Sequence, residues 1–164
     1  MLGLGLGFTS VPGVLPQGGG AEPYTESTSD PNLANQTTST ATIFARAFAV
    51  DNGATINSIG LYQTNARETT IKIAIRNSPG NYDVVVSEAF SHPGGGWVDH
   101  TLAAPYVVPG TGEFHPGAFI TGTTDRISGQ ARAFATGDLT GEDLTLSETA
   151  GPGYALRVTG TEPA

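Results

Sequence analysis

Apolar and polar residues alternate with a period of two along the middle of the chain. In 69–76, three isoleucines alternate with lysine, alanine and arginine, as in a strand that has one buried and one solvated face. Turn residues follow at 77–81, and a second apolar run covers 82–90. A third run begins at Trp97, after three consecutive glycines. The pattern over 69–102 predicts an antiparallel meander of three strands, with the only tryptophan at the centre of the hydrophobic core.

Turn-separated apolar runs continue on both sides of this meander. Strong helix formers are scarce, whereas valine, isoleucine, threonine and aromatic residues mark the runs, which favours an all-β fold. About eight or nine strands at such intervals are typical of a two-sheet sandwich. The sequence therefore predicts an antiparallel, jelly-roll-like β-sandwich over 41–164, in which the run between Pro105 and Pro109 is an edge strand. The runs outside the meander are 42–50, 56–63, 104–110, 113–122, 126–136, 139–146 and 154–158.

The first forty residues lack this periodicity and are rich in glycine, proline, serine and threonine. Such a segment cannot bury a core of its own, which predicts an extended arm over 1–40 outside the sandwich. At its start, leucine alternates with glycine, which places large apolar groups on one side of an extended ribbon. A frayed terminus is the alternative, but we expect an anchoring segment that adds to a neighbouring subunit or sheet edge. The anchoring set is Leu2, Leu4, Leu6 and Phe8.

Composition and charge narrow the classes of function. The chain has 164 residues and no cysteine, so disulfides and thiolate metal sites are excluded. Its net charge is −8, without a lysine or arginine cluster, which makes nucleic acid and anionic membranes poor partners. The acidic carboxy-terminal part is expected to face solvent. The apolar start lacks a basic region, and its alternating glycines disfavour a helix, so no signal peptide is predicted.

The candidate metal ligands do not form a known pattern. The spacings of His92, His100 and His115 match no ligand motif, and two of these residues precede proline, which predicts exposed loop histidines. The acids of 138–143 surround a glycine but lack the spacing of a calcium loop, so a solvated turn is expected there. The sequence therefore predicts neither a metal site nor a cofactor.

Catalytic motifs are also missing from the sequence. There is no nucleophile elbow, phosphate loop or cysteine nucleophile, which predicts a protein that is not an enzyme. A carboxylate pair for glycoside hydrolysis stays open, because the separation of two carboxylates is a property of the folded chain. Trp97, Tyr62 and Tyr106 are candidate glycan contacts, since aromatic rings can pack on the apolar faces of sugars. For Trp97 a core position is the favoured interpretation, because large apolar side chains are mostly buried.

Four segments of the sandwich region resemble jelly-roll modules. In 56–62 and 70–75 isoleucine-rich strands precede a Gly-Trp strand at 95–98 and a Pro-Tyr-Val-Val strand at 105–108. Modules of this kind are common in carbohydrate-binding domains and in virion appendages. The resemblance implies a sandwich fold and, by itself, no particular function.

The beginning of the chain resembles the amino termini of structural proteins of tailed bacteriophages. In these, a short Leu/Gly peptide like 1–10 and a glycine run like 18–20 precede a displayed β-domain. The resemblance implies a non-enzymatic capsid decoration or head-spike protein on the virion surface, made in the host cytoplasm. Its expected partners are the major capsid protein or tail proteins, and it is expected to form a homo-oligomer, a trimer. The alternative is a carbohydrate-binding module of a tail fibre or baseplate that contacts a host surface glycan.

Overall fold

The computed structural model of the chain describes residues 23–28 and 35–163. Within them every regular element is a β-strand, and the strands form two antiparallel sheets that pack together. The predicted antiparallel β-sandwich is therefore confirmed. The strands are β1 (Pro23–Ser27), β2 (Asn35–Ser39), β3 (Ala41–Ala45), β4 (Thr55–Gln63), β5 (Arg67–Ser78), β6 (Asn81–His92), β7 (Gly96–Val107), β8 (Glu113–Ile120), β9 (Gly122–Thr136), β10 (Gly141–Thr145), β11 (Ser147–Gly153) and β12 (Leu156–Thr161).

The smaller sheet has the strand order β1-β12-β4-β7, and the larger one has the order β10-β6-β5-β8-β3-β9-β11 with β2 also paired to β9. The main core lies between the two sheets. Ile71, Ile73 and Ile75 of β5 all point into it, as their alternation predicts. Leu61 of β4 and Leu156 of β12 enter the same core from the smaller sheet.

The third strand of the predicted meander does not pair with the second. β5 and β6 form the expected hairpin, but β7 pairs with β4 in the other sheet. The turn between β6 and β7 contains Gly94, Gly95 and Gly96, all with positive φ. Glycine adopts this conformation without a steric penalty, so the chain can cross from one sheet to the other. β7 is an edge strand of the smaller sheet, so Pro105 lies at an edge as predicted. It belongs to β7, however, and not to a separate short strand.

The sandwich begins earlier along the chain than the predicted boundary at residue 41. β1 pairs with β12 and β2 pairs with β9, so two segments of the predicted arm belong to the sheets. Neither segment has a strong apolar alternation in its sequence, so the periodicity did not reveal these two strands. The remaining part of the predicted arm, including Leu2, Leu4, Leu6 and Phe8, lies outside the described residues.

The larger sheet curls on itself. β10 and β11 stand at opposite ends of its strand order, yet only Leu146 separates them in sequence. Neighbouring strands lie about 4.8 Å apart, so two strands joined by one residue can end a sheet this wide only if its edges meet. Contacts across the curl agree with this geometry, since Tyr82 of β6 donates its hydroxyl to Glu148 of β11 at 2.8 Å.

The concave face of this curl holds a second, smaller core. Its members are buried against one another and are separate from the main core: Phe44, Ala74, Tyr82, Ala133 and Leu146. The rings of Phe44 and Tyr82 stack with centroids 6.3 Å apart. A chain crossing at 137–148, which we call the closing segment, covers this face and brings Leu139 and Leu144 against it. β5 is therefore buried on both faces over most of its length.

The sequence predicted that the acids of the carboxy-terminal part face solvent. Two acids of the closing segment instead contact other parts of the larger sheet. Asp138 lies 2.6 Å from the ammonium of Lys72, which is fully buried on the concave face. Glu148 accepts hydrogen bonds from Arg76 Nε at 2.6 Å, from Tyr82 and from the backbone N–H of Gly80 at 3.0 Å. These contacts hold the edges of the curled sheet together.

Glu148 makes this closure sensitive to acid. Chiefly its hydrogen bonds from Arg76 lower the pKa of Glu148 to about 2. Because the folded-state pKa is depressed, the stabilisation is complete above the unfolded pKa of about 4.3. It is then lost as the pH falls from that value towards about 2.

We expect the unfolding temperature of Glu148→Gln to lie below that of the wild type at pH 7 and to converge with it in this acidic window. Thermal unfolding followed by circular dichroism measures this. A gap that stays constant over the window contradicts the assignment, and the exposed Glu142→Gln is the matched control.

Candidate functional site

Trp97 is positioned by a turn that the chain holds tightly. His92, at the end of β6, is buried, and its Nε2 donates to the carbonyl of Leu61 at 3.0 Å. Its Nδ1 accepts from the N–H of Gly94 at 2.9 Å. A Cβ on Gly94 would lie 2.8–2.9 Å from the backbone of the 64–66 segment, which only glycine avoids. The turn therefore fixes where β7 starts, and Trp97 follows at once.

A patch of four side chains lies on the outer face of the smaller sheet. The sheet register places Trp97 opposite Tyr62, and both Asp99 and Arg157 opposite Gly60. The rings of Tyr62 and Trp97 meet edge to face, with centroids 5.8 Å apart. The guanidinium carbon of Arg157 lies 4.9 Å from the Trp97 ring centroid. We call Tyr62, Trp97, Asp99 and Arg157 the aromatic patch.

An ion pair fixes the position of the arginine in this patch. Arg157 donates from Nε and from a terminal nitrogen to the two carboxylate oxygens of Asp99, at 2.7 and 2.6 Å. This bidentate geometry raises the pKa of Arg157. Gly60 leaves the necessary room, because a Cβ there would lie 2.3 Å from Asp99 Oδ1. The patch therefore combines half-buried aromatic surface with a fixed pair of opposite charges.

The sequence predicted a core position for Trp97, and this prediction is wrong. Trp97 is half-buried and belongs to neither apolar cluster among the described residues. The reason is register: Leu61 points inward, so Tyr62 and its partner Trp97 point outward. Strand periodicity alone could not assign the face, because a lone tryptophan at a strand start fits either side.

Tyr106, the third predicted glycan contact, does not join the other two. It pairs with Ile56 and packs partly buried against the main core, and burial raises its pKa. The bulge between Ile56 and Ser58 changes the register within β7. Tyr106 therefore lies on the opposite face of the sheet from Trp97.

Two of the three histidines are buried rather than exposed in loops. His92 bridges two backbone segments, as described above, and His115 donates from Nδ1 to the carbonyl of Ala45 at 2.8 Å. His92 is the last residue of β6 and Pro93 starts the turn after it, whereas His115 and Pro116 both lie within β8. His100 is half-buried and lies 2.8 Å from Glu88. Among residues 23–28 and 35–163, no group of three or more potential ligands could hold a metal ion.

Replacing Trp97 with alanine is expected to leave the fold intact. The substitution removes one edge-to-face contact and one cation–π contact, worth about 1–2 kcal/mol together. Chemical denaturation of Trp97→Ala should therefore show a small loss of stability and an unchanged m-value. A loss as large as that of a core aromatic would contradict the outward position, and Tyr62→Phe is the control that keeps the ring contact.

Comparisons with known proteins found no relative of this chain. No family model matches the chain, and neither a curated protein nor a solved structure matches it. Within the described part of the chain, no helix has the length and apolar character needed to cross a membrane.

Proposed function

We propose that this protein is a non-enzymatic structural protein of a bacteriophage particle, a capsid decoration or head-spike protein anchored through the segment before Pro23. The observation that carries the proposal is the way in which β1 joins this segment to the sandwich. β1 forms a continuous antiparallel ladder with β12, from Pro23 opposite Thr161 to Ser27 opposite Arg157. A force applied to the segment before Pro23 would be resisted by the backbone hydrogen bonds of this ladder.

Side chains strengthen the same junction. The hydroxyl of Tyr24 donates to the carbonyl of Ala49 at 3.1 Å, and its ring packs against the main core. Glu26 pairs with Arg46 at 3.1 Å. Beyond the strand, Thr28 donates its N–H to the carbonyl of Leu156 at 2.8 Å. An attachment point under load needs several such contacts that break together.

The rest of the fold suits a displayed module. Two buried clusters and the joined edges of the larger sheet hold the described strands together. The net charge of −8 favours solubility of the free protein. Burial of each side chain of the anchoring set would contribute about 1.5–3 kcal/mol to the free energy of attachment. The set is Leu2, Leu4, Leu6 and Phe8. Over the three chains of the proposed trimer this contribution multiplies, because linked contacts bind with a high effective concentration.

Deleting residues 1–22 is expected to leave the sandwich folded and to abolish attachment to the particle. Residue 23 begins β1, so the deletion leaves all twelve described strands in place. Co-sedimentation of purified protein with particles that lack it measures attachment, and thermal unfolding measures the fold. A length-matched control replaces Leu2, Leu4, Leu6 and Phe8 with serine and should fail to attach as well. Full occupancy by either variant would exclude the segment as the anchor.

The aromatic patch favours a second candidate, a carbohydrate-binding module of a tail fibre or baseplate. Tyr62 and Trp97 offer half-exposed rings beside a fixed acid and base, which is the chemistry of many sugar-binding surfaces. Glycan-array binding that is lost in Trp97→Ala and kept in Tyr106→Phe would support this candidate. Attachment to particles without glycan binding would support the decoration protein instead.

A further inference from the structure

The outer face of the smaller sheet is solvated, whereas the other sheet faces are covered. The main core lies between the two sheets, and the second core with the closing segment covers the concave face of the larger sheet. Cross-strand partners point to the same side of a sheet, so the register assigns the residues of the outer face. Besides the aromatic patch, this face carries Thr25, Ser27, Ser58, Thr101 and Thr159.

This outer face has no net charge, although the protein is strongly acidic. The chain carries a net charge of −8, so two copies repel each other at long range. Among the strand residues of the outer face, the charged side chains are Asp99 and Arg157, which neutralise each other at 2.7 and 2.6 Å. The other acid in the strands of this sheet, Glu26, is paired with Arg46. Charge repulsion therefore opposes a contact between copies very little at this face.

The polar groups in the middle of the outer face are already paired with one another. Arg157 holds Asp99 with two hydrogen bonds, and the hydroxyls of Ser58 and Thr159 hydrogen-bond to each other. A protein surface can cover such groups without leaving a donor or acceptor unsatisfied. A sugar, in contrast, is oriented by free polar groups. The internal pairing therefore favours a protein as the partner of this face.

The composition and the size of the outer face agree with a contact between protein molecules. Tyrosine, tryptophan and arginine contribute most to binding energy in protein interfaces, and here Trp97 contacts both Tyr62 and Arg157. The strands of the sheet include β12 with six residues and β4 with nine. Four strands of such lengths form a face of roughly 400–600 Å². Two such faces together bury about 800–1,200 Å², as in weak, reversible interfaces.

We propose that copies of this chain associate with one another through the outer face of the smaller sheet. In a face-to-face contact the two Asp99–Arg157 ion pairs lie antiparallel, so that the acid of one copy is near the base of the other. The same complementarity serves a ring of three copies, in which Asp99 of each contacts Arg157 of the next. Trp97 and Tyr62 form the apolar centre of the contact. The inference rests on the homo-oligomer of the proposed function, but not on its attachment to a particle.

The test is sedimentation velocity of the purified full chain at physiological salt, from micromolar to near-millimolar concentration. The wild type should associate reversibly as its concentration rises. Asp99→Arg and Arg157→Asp each place two like charges on the face, and each should raise the dissociation constant at least about tenfold. An equimolar mixture of these two variants should associate again, because their faces then carry opposite charges.

Two further variants make the result independent of folding defects. Trp97→Ala, for which we expect an intact fold, should also raise the dissociation constant. Glu142→Arg changes an exposed acid of the closing segment, outside the outer face, and should associate like the wild type. Thermal unfolding of each variant checks that the sandwich is folded.

A wild type that stays monomeric over the whole concentration range overturns the proposal, also if it binds a glycan through Trp97. Association of the two charge-reversal variants at the wild-type level overturns it as well, because another surface would then join the copies. Co-sedimentation with particles is a separate measurement. If attachment fails there while self-association is intact, the proposed function is contradicted and the outer-face contact is supported.

Discussion

Replacing Phe44 with alanine should lower the free energy of unfolding by about 3–5 kcal/mol, the range for buried aromatic residues. Phe44 is fully buried on the concave face, stacks on Tyr82 and lies directly over Gly117, where a Cβ would approach its ring to 2.4 Å. Gly117 has no side chain that could fill the cavity left by the Phe44 ring. The large loss follows from the complete burial of the Phe44 ring in the second core.

Urea unfolding of Phe44→Ala measures this loss, and Trp97→Ala is the matched aromatic control with its smaller expected effect. Losses of similar size in the two variants would contradict the assignment of one ring to a core and the other to the surface. A loss below about 1 kcal/mol for Phe44→Ala would show that the concave face is loosely packed.

The second large effect is expected from Asp138→Asn, which leaves the buried Lys72 without its carboxylate. Breaking a buried pair costs about 3–5 kcal/mol, and we expect about 2–3 kcal/mol here because Asp138 is 44% exposed. Lys72 keeps its hydrogen bonds to Ser87 at 2.8 Å and to the carbonyl of Leu139 at 2.7 Å. These bonds moderate the loss but do not balance the charge.

A second substitution separates the charge from the packing. In the double variant Lys72→Met/Asp138→Asn the buried charge is absent, so its stability should exceed that of Asp138→Asn. Equilibrium unfolding of both single variants and of the double variant closes the thermodynamic cycle. Additive losses would mean that Lys72 and Asp138 do not interact.

The alternation in β5 predicted its two faces but not what covers them. Ile71, Ile73 and Ile75 enter the main core as the pattern indicates. Lys72 alternates with them and was therefore assigned to a wet face, yet it is fully buried. The closing segment that covers it is about 70 residues away in sequence, and a period of two carries no information about such a distant partner.

The candidate sites show the same limit. Tyr62 and Trp97 were both selected from sequence as aromatic candidates, but their pairing depends on the register of β4 and β7, which a turn between sheets decides. The buried position of His115 in β8 gave no signal of its own in the sequence. The His-Pro pair at 115 instead indicated a loop, since proline is uncommon inside sheets.

Electron cryomicroscopy of purified particles of the bacteriophage proposed to carry this chain tests the central proposal most directly. We expect density for a two-sheet sandwich on the particle surface, at a fixed copy number, with the β1 edge of the smaller sheet nearest to the underlying shell. Particles whose reconstruction contains no such density, while the protein stays in the soluble fraction of the lysate, would contradict the proposal.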